Sequence, residues 1–118
     1  MKIVNQLFFS GCILISFSSC FAKSDAQFII TNSTNEKIDS FFMYPGDIKN
    51  VISINSKASA KYKIDMTSVK TDGSYGLFFK SKDSSRYLNF GYYSNGNPSE
   101  TLTRIDIKND TINVKPEF

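Results

Sequence analysis

The chain has 118 residues, 14 Lys and Arg against 11 Asp and Glu, two cysteines, no histidine and no tryptophan, for a net charge of +3. That length holds one domain, and the interspersed charges, with no basic run, leave no electrostatic footprint for a nucleic acid. The missing histidine removes the commonest general base and the commonest metal ligand.

The first segment reads as a targeting signal. Lys2 supplies a positive start, and an apolar run follows from Leu7 through Phe17, broken only by Ser10, Gly11 and Ser16. The run is about a dozen residues, short of the roughly 20 that span a bilayer. Cys20 and Ala22 then put small side chains where signal peptidase requires them. Residues 1–22 are therefore predicted to be a cleaved signal peptide, and 23–118 an exported domain starting at Lys23. A second cut is written in the same residues. Phe17-Ser18-Ser19-Cys20 resembles a lipoprotein box, in which a lipidated Cys20 anchors the domain to the envelope; Phe21-Ala22 suits ordinary cleavage better. Under either cut the folded domain has no internal disulfide. Stability then rests on burial, at about 25 cal/mol per Å² of apolar surface, to which each Phe or Tyr brings roughly 150–250 Å².

In chain order, Gln27 to Thr31 reads as a first strand, closed by an Asn32-Ser33-Thr34-Asn35 turn whose side chains bond their own backbone. Lys37 to Tyr44 is the second; its continuously apolar end, Phe41-Phe42-Met43-Tyr44, suggests a strand covered on both faces, stopped by Pro45-Gly46-Asp47. Val51 to Ile54 alternates, with Ile52 and Ile54 on one face. Ala60 to Met66 alternates most cleanly, with Ala60, Tyr62, Ile64 and Met66 inward and Lys61, Lys63 and Asp65 outward. Tyr75 to Lys80 and Tyr87 to Tyr93 form an aromatic pair of strands, the second ending in Ser94-Asn95-Gly96-Asn97-Pro98. Thr101 to Ile107 and Thr111 to Val114 close the chain, with Thr103, Ile105 and Ile107 sharing a face. About seven or eight short strands with turn chemistry between them, and no window of helical periodicity, predict an all-β domain: a single antiparallel sandwich, immunoglobulin-like or transthyretin-like.

The residue chemistry argues against catalysis. Processing removes both cysteines, and with them thiol nucleophiles and zinc thiolates. No nucleophile elbow or Ser-x-x-Lys pattern is present. Asp65, Asp72, Asp83, Asp106 and Asp110 lie at strand ends or in turns, where aspartates cap loops, and a two-carboxylate hydrolase would need a pair about 5–9.5 Å apart across a cleft. The dispersed glycines form no phosphate loop. The expectation is a non-enzyme with no cofactor and no metal.

The aromatic strand is the candidate surface. Gly76 and Gly91 sit inside aromatic strands, where glycine marks a bulge or a close backbone approach. On an uninterrupted register Leu88, Phe90 and Tyr92 share one face, expected in the core, and Tyr87, Asn89, Gly91 and Tyr93 share the other. The register through Gly91 decides which tyrosines are outside. Tyr87, Asn89 and Tyr93, with Asn95 and Asn97 in the turn and Arg104 nearby, make the predicted partner-binding set, because Tyr and Arg often anchor interfaces. The competing reading is that these tyrosines only cap the edge of the sandwich. A signal peptide before a cysteine-free sandwich with an aromatic hairpin resembles small periplasmic proteins of bacteria, among them immunity proteins and hydrolase inhibitors. The resemblance implies one protein partner, a toxin or an enzyme, occluded by insertion of the Tyr93–Pro98 loop. The alternative is a structural envelope domain, either a lipoprotein or an adhesin-like or pilus-like subunit.

Overall fold

A computed structural model describes residues 25–118, and among them it contains strands and no helix. The predicted signal peptide, its cut before Lys23 and the Cys20 lipidation box lie outside the described residues. The strands are β1 (Asp25–Asn32), β2 (Ile38–Tyr44), β3 (Ile52–Ile54), β4 (Ser59–Asp65), β5 (Gly73–Ser81), β6 (Ser84–Ser94), β7 (Asn97–Pro98), β8 (Leu102–Ile107) and β9 (Ile112–Glu117). They form a four-stranded sheet in the order β4-β1-β8-β9 and a five-stranded sheet in the order β3-β2-β5-β6-β7. The additional short strand is β7, the far side of the Asn95-Gly96 turn.

Alternation decides which side of each strand is buried. In β4 Tyr62 and Ile64 point inward and the lysines outward; in β8 Thr103, Ile105 and Ile107 point inward. The inner faces of the two sheets meet through rings. Phe28 of β1 packs edge-on against Tyr75 of β5 at 5.2 Å between centroids, and Phe41 of β2 against Tyr62 of β4 at 5.6 Å. The Tyr62 hydroxyl is satisfied twice: it donates to the Asn50 carbonyl at 2.7 Å and accepts from the Met43 amide at 3.2 Å.

The sheets are not wholly antiparallel. β1 pairs antiparallel with β4 but parallel with β8, from Phe28 beside Thr103 to Asn32 beside Ile107. The chain leaves β7 in one sheet, crosses through 99–101 to the other, and enters β8 running in the direction of β1. A crossover between sheets can place a strand either way round, which local alternation does not record.

A bulge in β6 sets the register of the aromatic hairpin. Tyr75 pairs with Phe90 and Gly73 with Tyr93, so β6 carries one residue more than β5 over this interval. Gly91 sits there at φ +67°, and a Cβ on it would lie 2.9 Å from Cδ2 of Tyr75. The extra residue inverts the facing of the residues beyond it. Tyr92, expected in the core, is 51% exposed, and Tyr93, expected on the open face, is 7% exposed and packs on Tyr75 at 5.3 Å. Leu88 and Phe90, upstream of the bulge, pack against the core as expected.

Candidate functional site

The outer faces of the two sheets are chemically different. On the four-stranded sheet, Lys61, Ile29, Arg104 and Lys115 stand side by side across the strands, next to a row of Ser59, Thr31, Asp106 and Asn113. Arg104 is tied there to Glu117 at 2.8 Å. This is a solvated, mixed-charge surface.

The outer face of the five-stranded sheet is aromatic. Phe42, Phe78 and Tyr87 lie in one row across β2, β5 and β6, and Tyr44, Gly76 and Asn89 in the next. The Phe42 ring contacts Phe78 at 5.4 Å and Tyr44 at 5.3 Å. Gly76 is the floor of this patch. A Cβ on Gly76 would come within 3.1 Å of the Tyr87 hydroxyl, so its absence is what lets that side chain lie across the sheet and bond the Asn89 side-chain oxygen. Tyr44 and Tyr87 remain 50% and 56% exposed. The aromatic side chains are thus grouped at the centre of a sheet face rather than scattered singly.

The predicted set is therefore divided. Tyr87 and Asn89 belong to the aromatic patch and touch each other. Tyr93 does not, because the bulge turns it into the core. Arg104 is on the outer face of the opposite sheet, with the core between it and Tyr87. Asn95 and Asn97 are at the hairpin tip, but their turn is not a projecting loop. Asn95 and Gly96 have φ +50° and +75°, as a two-residue hairpin turn requires. The Gly96 amide donates to the Thr71 carbonyl at 3.0 Å, and the Asn95 amide to the Asp72 carboxylate at 2.8 Å. A Cβ on Gly96 would fall 2.0 Å from the Val69 carbonyl oxygen. The turn is docked on the 66–72 segment, so a mechanism by insertion of Tyr93–Pro98 has no free loop to use.

Phe42, Tyr44 and Phe78 join the surface although sequence reasoning did not single them out. The continuous apolar run Phe41-Phe42-Met43-Tyr44 suggested cover on both sides; in fact only Phe41 and Met43 are fully buried. The signal lay in combining that run with Phe78-Phe79, since each doublet can send only one ring inward.

Among the described residues no group of three or more Asp, Glu, His or Cys is placed to hold a metal ion. Three described groups have an altered proton affinity, two of them buried tyrosines and the third the half-buried Glu100. Burial raises the Tyr62 and Tyr75 hydroxyls above the usual tyrosine range, and burial likewise raises the Glu100 carboxyl above 4.5. A scan of protein-family models, a search of curated proteins and a search of solved structures each returned no match to this chain.

Proposed function

We propose that this chain is an exported binding protein that works through a protein–protein interface on the outer face of its five-stranded sheet. The carrying observation is the patch of Phe42, Tyr44, Phe78 and Tyr87, contiguous across three strands and half open to water at both tyrosines. Tyrosine supplies large contact area with a polar tip, and such residues dominate the energetics of many interfaces. The Tyr87–Asn89 hydrogen bond fixes the ring before any partner arrives, which lowers the ordering cost of association. The reading extends to a sandwich of immunoglobulin-like or transthyretin-like kind, secreted to the periplasm after cleavage of residues 1–22. Its role would be that of an immunity or inhibitor protein that covers a toxin or hydrolase with a rigid sheet face. Lipidation at Cys20 would place the same face at the envelope and favour a structural role.

Capture from a periplasmic extract on immobilised protein tests the reading. A single stoichiometric partner is expected, with affinity lowered about tenfold or more by Tyr87→Ala or Tyr44→Ala, which is about 1.4 kcal/mol. Tyr92→Ala, half exposed but at the flank, and Arg104→Ala, on the opposite sheet, should leave it unchanged. A partner lost on Arg104→Ala and retained by both tyrosine variants would move the interface to the other sheet and overturn the proposal.

A further inference from the structure

A cleft of about 430 Å³ opens at the flank of the molecule, where β6 faces β9 beneath the 99–101 crossover. Its walls are Phe90 and Tyr92 on one side and Val114 and Pro116 on the other. That volume falls within the roughly 300–1,000 Å³ of small-molecule sites. Ser99, whose hydroxyl donates to the Tyr92 carbonyl at 3.1 Å, Glu100 and Thr103 interrupt the apolar lining. Thr103 is 1% exposed, and its hydroxyl has no hydrogen-bond partner. Glu100 is the one charged side chain on the cleft wall among the described residues. The Tyr75 hydroxyl, buried behind it, lies close enough to Glu100 for each to alter the other's titration, yet the pair does not reach the geometry of a formed hydrogen bond. Interiors rarely leave such atoms unsatisfied.

We propose that this cleft binds a small apolar amine, its hydrocarbon or aromatic body between Phe90, Tyr92, Val114 and Pro116 and its ammonium group at Glu100 and Thr103. An ammonium carries three donors and no acceptor. The Glu100 carboxylate and the Thr103 hydroxyl oxygen both accept, so the head group gives the carboxylate a counter-charge and the Thr103 hydroxyl the partner that it lacks within the fold. An anionic head would meet the Glu100 charge in a partly dry setting, where repulsion is poorly screened. A neutral alcohol would serve Thr103 but leave the carboxylate uncompensated. Burial disfavours the ionised form of Glu100, and a cationic ligand reverses that preference. The bulge at Gly91 helps create the opening, because it turns Tyr92 out of the core and onto the cleft rim.

Octylamine, octan-1-ol and octanoate, matched in chain length, are the probes, monitored by amide chemical shifts of the folded protein. Octylamine is expected to saturate with shifts at Phe90 to Tyr92, Glu100, Thr103 and Val114, and to bind at least tenfold more tightly than either comparator. Glu100→Gln should remove that advantage while leaving octan-1-ol binding unchanged. Thr103→Val, which keeps shape, should weaken octylamine several-fold without lowering the melting temperature. Octanol binding as tightly as the amine, an advantage that survives Glu100→Gln, or shifts confined to other surfaces would each overturn the assignment.

Discussion

The two ends of the β1–β8 ladder treat buried polar groups in opposite ways. Where Asn32 lies beside Ile107, every valence is used. The Asn32 amide nitrogen donates to the carbonyls of Glu36 at 2.9 Å and Ile54 at 3.1 Å, and its oxygen accepts from the Thr34 amide at 3.0 Å and from the Thr34 hydroxyl at 2.6 Å. One side chain thereby closes the β1–β2 turn and pins β3 beneath it. Where Phe28 lies beside Thr103, at the other end of the same ladder, the buried hydroxyl of Thr103 has no partner and that of Tyr75 has no well-formed one. The first cluster is architecture, because removing it would orphan backbone atoms. The second has no such role in closing a turn, and its Thr103 lies on the wall of a cleft.

The largest expected effect is at the satisfied end. Asn32→Ala leaves the Ile54 carbonyl and the Thr34 amide buried without a partner. Each such group costs about 1–3 kcal/mol, and partial rearrangement of the turn should hold the total near about 3 kcal/mol. For a domain of this size that corresponds to a fall in melting temperature of roughly 12–24 °C, at about 4–8 °C per kcal/mol. Chemical unfolding of parent and variant measures it directly; a loss below about 1 kcal/mol would mean that the network is redundant.

The unsatisfied end should respond with the opposite sign. Thr103→Val removes a buried donor that has no acceptor and keeps the branched shape of the side chain. Replacing an unpartnered hydroxyl by a methyl group is expected to raise stability by about 1 kcal/mol, the lower part of the desolvation cost of such a group. A loss of similar size in the absence of any ligand would show that the hydroxyl is satisfied within the protein, and the contrast between the two ends would collapse.

Much of this arrangement was legible in the residues. Alternation in Ala60–Met66 assigned the inward face, since a period of two admits only two assignments and the lysines exclude one of them; in Thr103–Ile107 it grouped the residues that share the buried face. Asn32 to Asn35 announced a turn by composition, and Asn95-Gly96 announced a tight hairpin by its demand for positive φ. The facing of Tyr92 and Tyr93 hung on whether Gly91 adds a residue to the ladder. That depends on the Tyr75 ring lying against the glycine, a contact between strands that no single strand encodes. The aromatic patch shared this character. Phe42, Phe78 and Tyr87 become one surface only once β2, β5 and β6 are set in register. Arg104 lies apart from Tyr87 for a related reason, because sequence gives its face but not its sheet.

The smallest effect, and the one that isolates Glu100, is a dependence on pH. Burial raises its carboxyl in the folded chain above the ordinary 4.5, against contributions from its own backbone hydrogen bonding and from Tyr75 that lower it. Below the unfolded value both states are protonated, and the contribution of Glu100 to stability is fully present. As pH rises from about 4.5 through the raised folded value, the unfolded chain ionises first, so stability is lost over that window. Glu100→Gln cannot ionise and should show no such loss. The difference between variant and parent in chemical unfolding is therefore expected to grow in the variant's favour as pH climbs from about 4 toward neutrality, then level off. Tyr75 is packed against Glu100 at this end, and burial raises its hydroxyl above the ordinary tyrosine range, well outside the window, so it does not distort the comparison. A flat difference would place Glu100 in water rather than at the mouth of the core. A saturating apolar amine should cancel the difference or reverse it, because the ligand brings a positive charge to the ionised carboxylate, which has no cation beside it on the cleft wall among the described residues.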